Sequence, residues 1–234
     1  PRPPLPHRPT PWAHRAACET VAQARGKVPH IPAHGRPPRL AVRISEALGI
    51  TNMCAVSGGT SIYDPLKAKV LKLTTLAPSA VHEIFRLARE HHYEISLREE
   101  LISSDVTAIH PSIAENMEIV CIGKVPPDET ASFSEKLHAI PDICAEAVHD
   151  WGQAGMFAYL ITNINATKEH AVAEILAGLG IPAAEAIGIG DGNNDLHLFR
   201  SVGLKVAMGN ATTELKAAAD IIAGRIAVHD YMTD

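Results

Sequence analysis

Three short apolar runs near the carboxyl end, separated by single helices, restrict this chain's fold more than any other feature. The run "AEAIGIGD" (184–191) ends on a carboxylate, and "NDLHLFRSVG" (194–203) then reads as a helix. Leu196, Phe199 and Val202 fall on one face of that helix, and Gly203 stops it. "LKVAMGN" (204–210) is a second strand and "DIIAG" (220–224) a third. Between them "ATTELKAAA" (211–219) is a helix opened by Thr212 or Thr213, with Glu214 in its first turn. No hairpin fits between these strands, so the connections are right-handed crossovers and the sheet is parallel.

Upstream, "TKEHAVAEILAGLG" (167–180) predicts a helix with Ala171, Val172, Ile175, Leu176 and Leu179 as its apolar stripe. Thr167 is its N-cap and Gly180 its stop. "RLAVRISEALGI" (39–50) predicts another helix, followed by a strand and glycine turn in "MCAVSGG" (53–59). The middle of the chain mixes helices, such as "PSAVHEIFRLAREHHY" (78–93), with strands, such as "MEIVCIGKV" (117–125) and "MFAYLITNI" (156–164). Residues 11–65 and 165–234 therefore read as two parts of one α/β layer, with 66–164 an α+β insertion. At 234 residues the chain is long enough to bury such a core.

The net charge of −5 hides an asymmetry. Residues 1–45 carry eight Lys/Arg against Glu19 alone, while the remainder carries 13 basic and 25 acidic residues. Ten of the 17 prolines lie in the first 38 residues. The Pro/Arg-rich opening, residues 1–10, forms neither a helix nor a central strand, because proline lacks an N–H and fixes φ. It reads as a disordered or mis-started terminus, with a nucleic-acid arm or polyproline ligand as alternatives. No apolar stretch reaches about 18 residues, so no membrane span is expected, and no secretory signal is visible. The four cysteines are dispersed without CxxC spacing, the pattern of reduced thiols in a cytoplasmic protein. Aromatic residues make up 4%, too few for a stacking platform, and no nucleic-acid partner is expected.

The chemistry-bearing segment is "GIGDGNNDLHLF" (188–199), where Asp191 ends a strand and Asp195 lies four residues on. That spacing puts both carboxylates on one side of the helix start, at the sheet edge where open parallel sheets bind ligands. A small carboxylate cluster of this kind suits a hard cation such as Mg²⁺, with waters and substrate phosphate completing its shell. An EF-hand loop counted from Asp191 would need Gly and Glu where Leu196 and Val202 stand, and the dinucleotide glycine fingerprint breaks at Asn193. Lys168, in the first turn of its helix, opposes the helix dipole unless it faces a phosphate, the alternative being a solvated surface lysine. Asn210 adds a polar turn at the same sheet edge.

The segment "IGIGDGNNDLHLFRSVGLKVAMGNATTELKAAAD" resembles the fourth motif of the haloacid dehalogenase-like phosphatases, in particular the Cof-type branch with an α/β cap. "ATKEHAVAEILAGLGI" resembles the third motif, "AHGRPPRLAVRISEALGI" the second, and "SGGTSIYDP" the segment leading into the cap. The resemblance covers most of residues 33–223. It implies a Rossmann-like parallel-sheet core with helices on both faces and an inserted cap over 66–164. It also implies a Mg²⁺-dependent phosphatase acting on a small phosphorylated metabolite such as a sugar phosphate. An aspartate of a DxD sequence on the first strand attacks the phosphate, and the aspartyl-phosphate is then hydrolysed. On this chain the resemblance makes Asp191 and Asp195 the metal-site acids and Lys168, Asn194, His34 and Gly35 the phosphate contacts. Arg36, Gly58, Gly59 and Asn210 fall on the substrate side, and the cap sets substrate choice. Trp151 and Phe157 read as core packing, with lining of the closed site as the alternative. The resemblance leaves oligomeric state open.

One departure bears directly on activity. The first aspartate of the chain is Asp64, so no DxD precedes the second-motif region, and His34 stands where the family has a phosphate-binding hydroxyl. Three explanations are open: a fragment or mis-started product, a non-catalytic relative that binds a phosphate ligand or partner, or hydrolysis with another base. No HExxH, GxSxG or Walker sequence offers that base.

Overall fold

The computed structural model describes residues 15–24, 26–35, 38–97, 100–102, 114–150 and 152–224. Residues 1–10, Arg36 and Trp151 lie outside them. In chain order the elements are α1 (Arg15–Ala24), α2 (Pro38–Leu48), β1 (Cys54–Val56), β2 (Ser61–Asp64), β3 (Lys69–Leu73) and α3 (Pro78–Glu90). They continue with β4 (Glu94–Leu97), β5 (Glu100–Ile102), β6 (Ile119–Val125), α4 (Thr130–His138), β7 (Ile143–His149) and β8 (Phe157–Asn163). The last are α5 (Lys168–Leu179), β9 (Ile187–Gly190), α6 (Asp195–Arg200), β10 (Leu204–Ala207), α7 (Thr213–Ala217) and β11 (Ile221–Ile222). The chain divides into two compact units, Pro1–Lys72 with Lys168–Asp234, and Leu73–Thr167. No helix among the described residues is long and apolar enough to cross a membrane.

In the first unit, β9, β10 and β11 form a parallel sheet in the order β11-β10-β9, with Leu204 opposite Ile187 and Val206 opposite both Ile189 and Ile221. Glycine lets α6 and the residues after it lie close on β9: a Cβ on Gly188 would come within 2.9 Å of Val202. Phe199, Ala207, Ala211 and Leu215 pack together beneath α6 and α7. Thr212 caps α7 by accepting a hydrogen bond from the Leu215 amide at 3.3 Å.

The amino-terminal part of the unit departs from a simple parallel layer. β1 and β2 are an antiparallel hairpin, Ala55 opposite Ile62, and β3 adds to β2. The hairpin closes through Ser57, Gly58 and Gly59, whose φ values of 51°, 74° and 107° turn the chain back through the left-handed region. Ahead of β1, residues 31–34 contribute one parallel bridge, Ala33 to Ala55. Pro29 and Pro32 have no N–H to donate, which limits this segment to that bridge. The two sheets are joined by α5 rather than by hydrogen bonds among the described residues. Its Ala171, Val172, Ile175 and Leu176 share one apolar cluster with Ala55 and Ile62 of the hairpin and Leu198 and Val202 beside β9.

The second unit is a five-stranded antiparallel sheet, order β5-β4-β6-β8-β7, with α3 and α4. Pro78 starts α3, where a missing N–H costs nothing. Its buried Ala80, Val81, Ile84, Phe85, Leu87 and Ala88 recur at helical spacing. Phe133 of α4 meets the rings of Tyr93 at 4.8 Å and Tyr159 at 5.4 Å, both edge-on, the favoured aromatic geometry. Phe157 packs half-buried against this core. The Asn163 side-chain amide donates to the Thr75 carbonyl at 2.9 Å and so ties the end of the unit to its beginning.

Asp150 organises one end of this sheet. It accepts from the amides of Lys124, Gly152 and Gln153 at 2.8, 2.7 and 3.1 Å, where Lys124 adopts φ 60° at a bulge in β6. Burial raises the Asp150 carboxyl, but these three bonds and the Lys124 charge outweigh it, and the net shift is downward. A carboxyl depressed in the folded state stabilises above its unfolded pKa of about 3.9. That contribution is lost as pH falls through the lower folded value. Asp150→Ala is expected to cost about 1 kcal/mol at pH 7 and less at pH 2, read by urea melts at both pH values. An equal loss at both would show that the charge is irrelevant.

Candidate functional site

Asp191 and Asp195 lie where β9 ends and α6 begins, but their surroundings differ. Asp195 is 5% exposed. One of its oxygens accepts from the Lys168 ammonium at 2.5 Å, and the other accepts from the amides of Asp191 and Gly192 at 2.9 and 3.1 Å. Both oxygens are therefore committed to shaping the loop and holding the lysine. Asp191 is exposed, and its carboxylate makes no hydrogen bond or ion pair among the described residues.

Lys168 opens α5 and is 5% exposed, so it is not a solvated surface lysine. A buried ammonium at a helix N-terminus is unfavourable by both desolvation and dipole, and Asp195 supplies the opposing charge. The loop is held further by Thr212, whose amide donates to the Asp191 carbonyl at 3.1 Å and whose hydroxyl donates to the Asn193 side chain at 2.5 Å. Gly190 makes the approach possible, since a Cβ there would lie 2.4 Å from the Asp195 Cβ.

The other expected residues fall into two groups. Asn194 is half-buried at the start of α6, and its side chain makes no cap bond. The Gly58 amide donates to the His34 carbonyl at 3.1 Å, so the turn after β1 and the second-motif region meet through their backbones. Helix α5 packs against this Ser57–Gly59 turn, which brings Gly58 and Gly59 to the element that carries Lys168. Gly35 is exposed in a bend, and Asn210 is exposed in the turn before α7. Sequence reading missed the Lys168–Asp195 pair, whose members lie 27 residues apart, and the second role of Thr212 beyond capping.

A carboxylate cluster with one free member fits a Mg²⁺ ion, which takes one or two carboxylates and fills its remaining positions with water and ligand oxygens. The first aspartate is equally informative. Asp64 ends β2, accepts from the amides of Leu66 and Lys67 at 2.9 and 3.1 Å, and pairs with the Lys67 ammonium at 3.0 Å. It is a turn cap, not a free nucleophile.

A family model described as haloacid dehalogenase-like hydrolase matches residues 22–119 and 102–228. The chain belongs to that family. This HAD-like hydrolase is 24% identical over 214 residues to YkrA of Bacillus subtilis, a protein named as a phosphatase, with 87% of this chain and 82% of YkrA covered. It is 39% identical to the phosphoglycolate phosphatase of Archaeoglobus fulgidus over 66 residues, 28% of this chain and 30% of that protein's length. The chain thus spans under a third of that relative. Among solved structures, a haloacid dehalogenase-like hydrolase from B. subtilis superposes with a TM-score of 0.70 at 17% identity, covering 90% of this chain and 87% of the other. The HAD subclass IIB sugar phosphatase BT4131 gives a TM-score of 0.66 at 21% identity, covering 89% and 84%. These likenesses establish for the HAD-like hydrolase the α/β core fold with its cap.

Proposed function

We propose that this chain is a phosphatase-family protein that binds a small phosphorylated metabolite, such as a sugar phosphate, with Mg²⁺. The observation that carries this reading is the buried Lys168 ammonium at the start of α5, clamped by Asp195 beside the free carboxylate of Asp191. Lys168 supplies positive charge and a donor for phosphate oxygens, with α5's first amides beside it. Asp191 would hold the metal, and Asp195 orients the loop and the lysine from behind. Bound there, Mg²⁺ would neutralise phosphoryl oxygens. His34, Gly35 and Asn194 are assigned to the phosphate, and Arg36, Gly58, Gly59 and Asn210 to the substrate side. Residues 66–164 act as the cap that selects substrate. The free cysteines Cys54, buried, and Cys121, half-buried, whose thiols desolvation pushes up, support placement in a reducing cytoplasm. A nucleic-acid or membrane partner finds no support in the composition.

Turnover by the aspartyl-phosphate route requires a DxD strand joined to this chain. A second reading, a HAD-fold binder without turnover, is favoured by one observation: Asp195, the carboxylate paired with Lys168, has both oxygens engaged. Calorimetric titration separates site from chemistry. Asp191→Asn is expected to abolish Mg²⁺ binding, and Lys168→Ala to weaken inorganic phosphate binding tenfold or more. If neither titration changes, the site is misassigned. Hydrolysis of p-nitrophenyl phosphate by this 234-residue chain would overturn the non-catalytic reading.

A further inference from the structure

The ammonium of Lys168 is tied to Asp195, but its own helix does little to fix the backbone that carries it. Lys168 is the first residue of α5, and the helix's contacts with the apolar cluster begin three residues on, at Ala171. The opening amides of a helix have no partner within it, so the first turn is its least anchored part. The path of the chain into Lys168 is therefore set from upstream.

The residues just ahead form a turn built around Asn163, the last residue of β8. Its side-chain Oδ1 accepts from the Asn165 amide at 2.9 Å, and its carbonyl accepts from the Ala166 amide at 2.8 Å. A side-chain oxygen that takes the amide two residues on closes an Asx turn, which directs the chain without glycine or proline. The turn leads into a buried run: Ala166 is fully buried, and Thr167 and Lys168 are each 5% exposed. At the other end of the carboxamide, Nδ2 donates to the Thr75 carbonyl at 2.9 Å. Both ends of that bond are held. Asn163 stands opposite Ile143 in the β7–β8 ladder, and the buried Leu76, next to Thr75, donates its amide to the Met117 carbonyl at 2.7 Å. One carboxamide thus has two tasks, which its separate donor and acceptor atoms allow.

We propose that Asn163 is a positioning residue for Lys168. The turn closed by its Oδ1 sets how the chain enters α5 and so where the ammonium is offered to a phosphate, while its bond to Thr75 contributes to stability alone. The proposal rests on the reading of Lys168 as the phosphate-binding cation.

The experiment compares Asn163→Ala, Asn163→Ser and Lys168→Ala in the full chain by calorimetric titration with inorganic phosphate in Mg²⁺, by urea melts and by amide hydrogen exchange. Serine keeps an oxygen that can accept from the Asn165 amide but is too short to reach Thr75. Asn163→Ala is expected to weaken phosphate binding about fivefold or more and to speed exchange of the Asn165 amide about tenfold, the scale of one lost hydrogen bond. Asn163→Ser is expected to lower the urea midpoint nearly as far as Asn163→Ala, while its phosphate affinity stays within about twofold of the unsubstituted protein. A purely structural role makes affinity follow stability, so equal affinity losses in the two variants overturn the proposal. Unchanged affinity in Asn163→Ala, where Lys168→Ala lowers it, overturns the positioning role and leaves the phosphate reading standing. If Lys168→Ala also binds phosphate unchanged, that reading falls and the positioning role falls with it.

Discussion

Replacing Lys168 with methionine is expected to destabilise the first unit by roughly 3–5 kcal/mol, the cost of stranding one member of a buried ion pair. Asp195 would remain 5% exposed with its charge uncompensated and only two backbone amides to satisfy it. The Asp191–Gly192 loop rests on that carboxylate, so Mg²⁺ affinity should fall together with stability. The double variant Lys168→Met, Asp195→Asn removes both charges and keeps an acceptor for the loop amides. It should therefore be more stable than the single Lys168→Met variant, an ordering that only a coupled pair produces. Urea denaturation of the three proteins decides the matter. A single-variant cost below about 1 kcal/mol would mean that the pair is solvated and behaves as a surface bridge.

Gly190→Ala should have an effect of similar size by a different route. The added methyl would fall 2.4–2.6 Å from three atoms of the Asp195 side chain, inside any permissible contact. Asp195 has no freedom to swing aside, because doing so releases Lys168 and two loop amides at once. Overpacking of this kind costs about 1–3 kcal/mol from steric strain alone, and lost hydrogen bonds add to it. Gly192→Ala is the matched control: its methyl meets only the terminal Oδ1 of Asn194, at 2.9 Å, which can rotate away. Thermal melts should place Gly190→Ala well below the unsubstituted protein, with Gly192→Ala near it. Equal melting temperatures would show that the loop yields more readily than its bonding implies.

What the sequence disclosed follows from the range of the forces involved. The β9–α6–β10–α7–β11 alternation was legible because strand and helix periods, the Thr212 cap and the glycine stops are all local. Pro29 and Pro32 act just as locally, and residues 31–34 make one bridge. The β1–β2 hairpin was not anticipated. "SGG" marks a turn, but three successive positive φ values, one of them at Ser57, are a tertiary outcome. Asp195 shows the same limit at the site. Its spacing from Asp191 predicts a shared side of the helix, while its partner Lys168 belongs to a helix two elements earlier, and only folding pairs them. Ile187 and Ile189 are 61% and 60% exposed, although the resemblance implies a core sheet with helices on both faces.

The bond from Asn163 to the Thr75 carbonyl has a consequence for how this architecture tolerates its own length. To the first unit, the whole of Leu73–Thr167 is an interruption between Lys72 and Lys168. A flexible segment of that length would tax folding with the entropy of bringing its ends together, a penalty that grows with the logarithm of loop size. Because the inserted unit folds on its own core and fastens its exit to its entrance, the first unit experiences a connection of only a few residues. Lineages with this topology are free to exchange, enlarge or reshape the insertion, while the thermodynamic footing of the Lys168–Asp195 centre stays where it was.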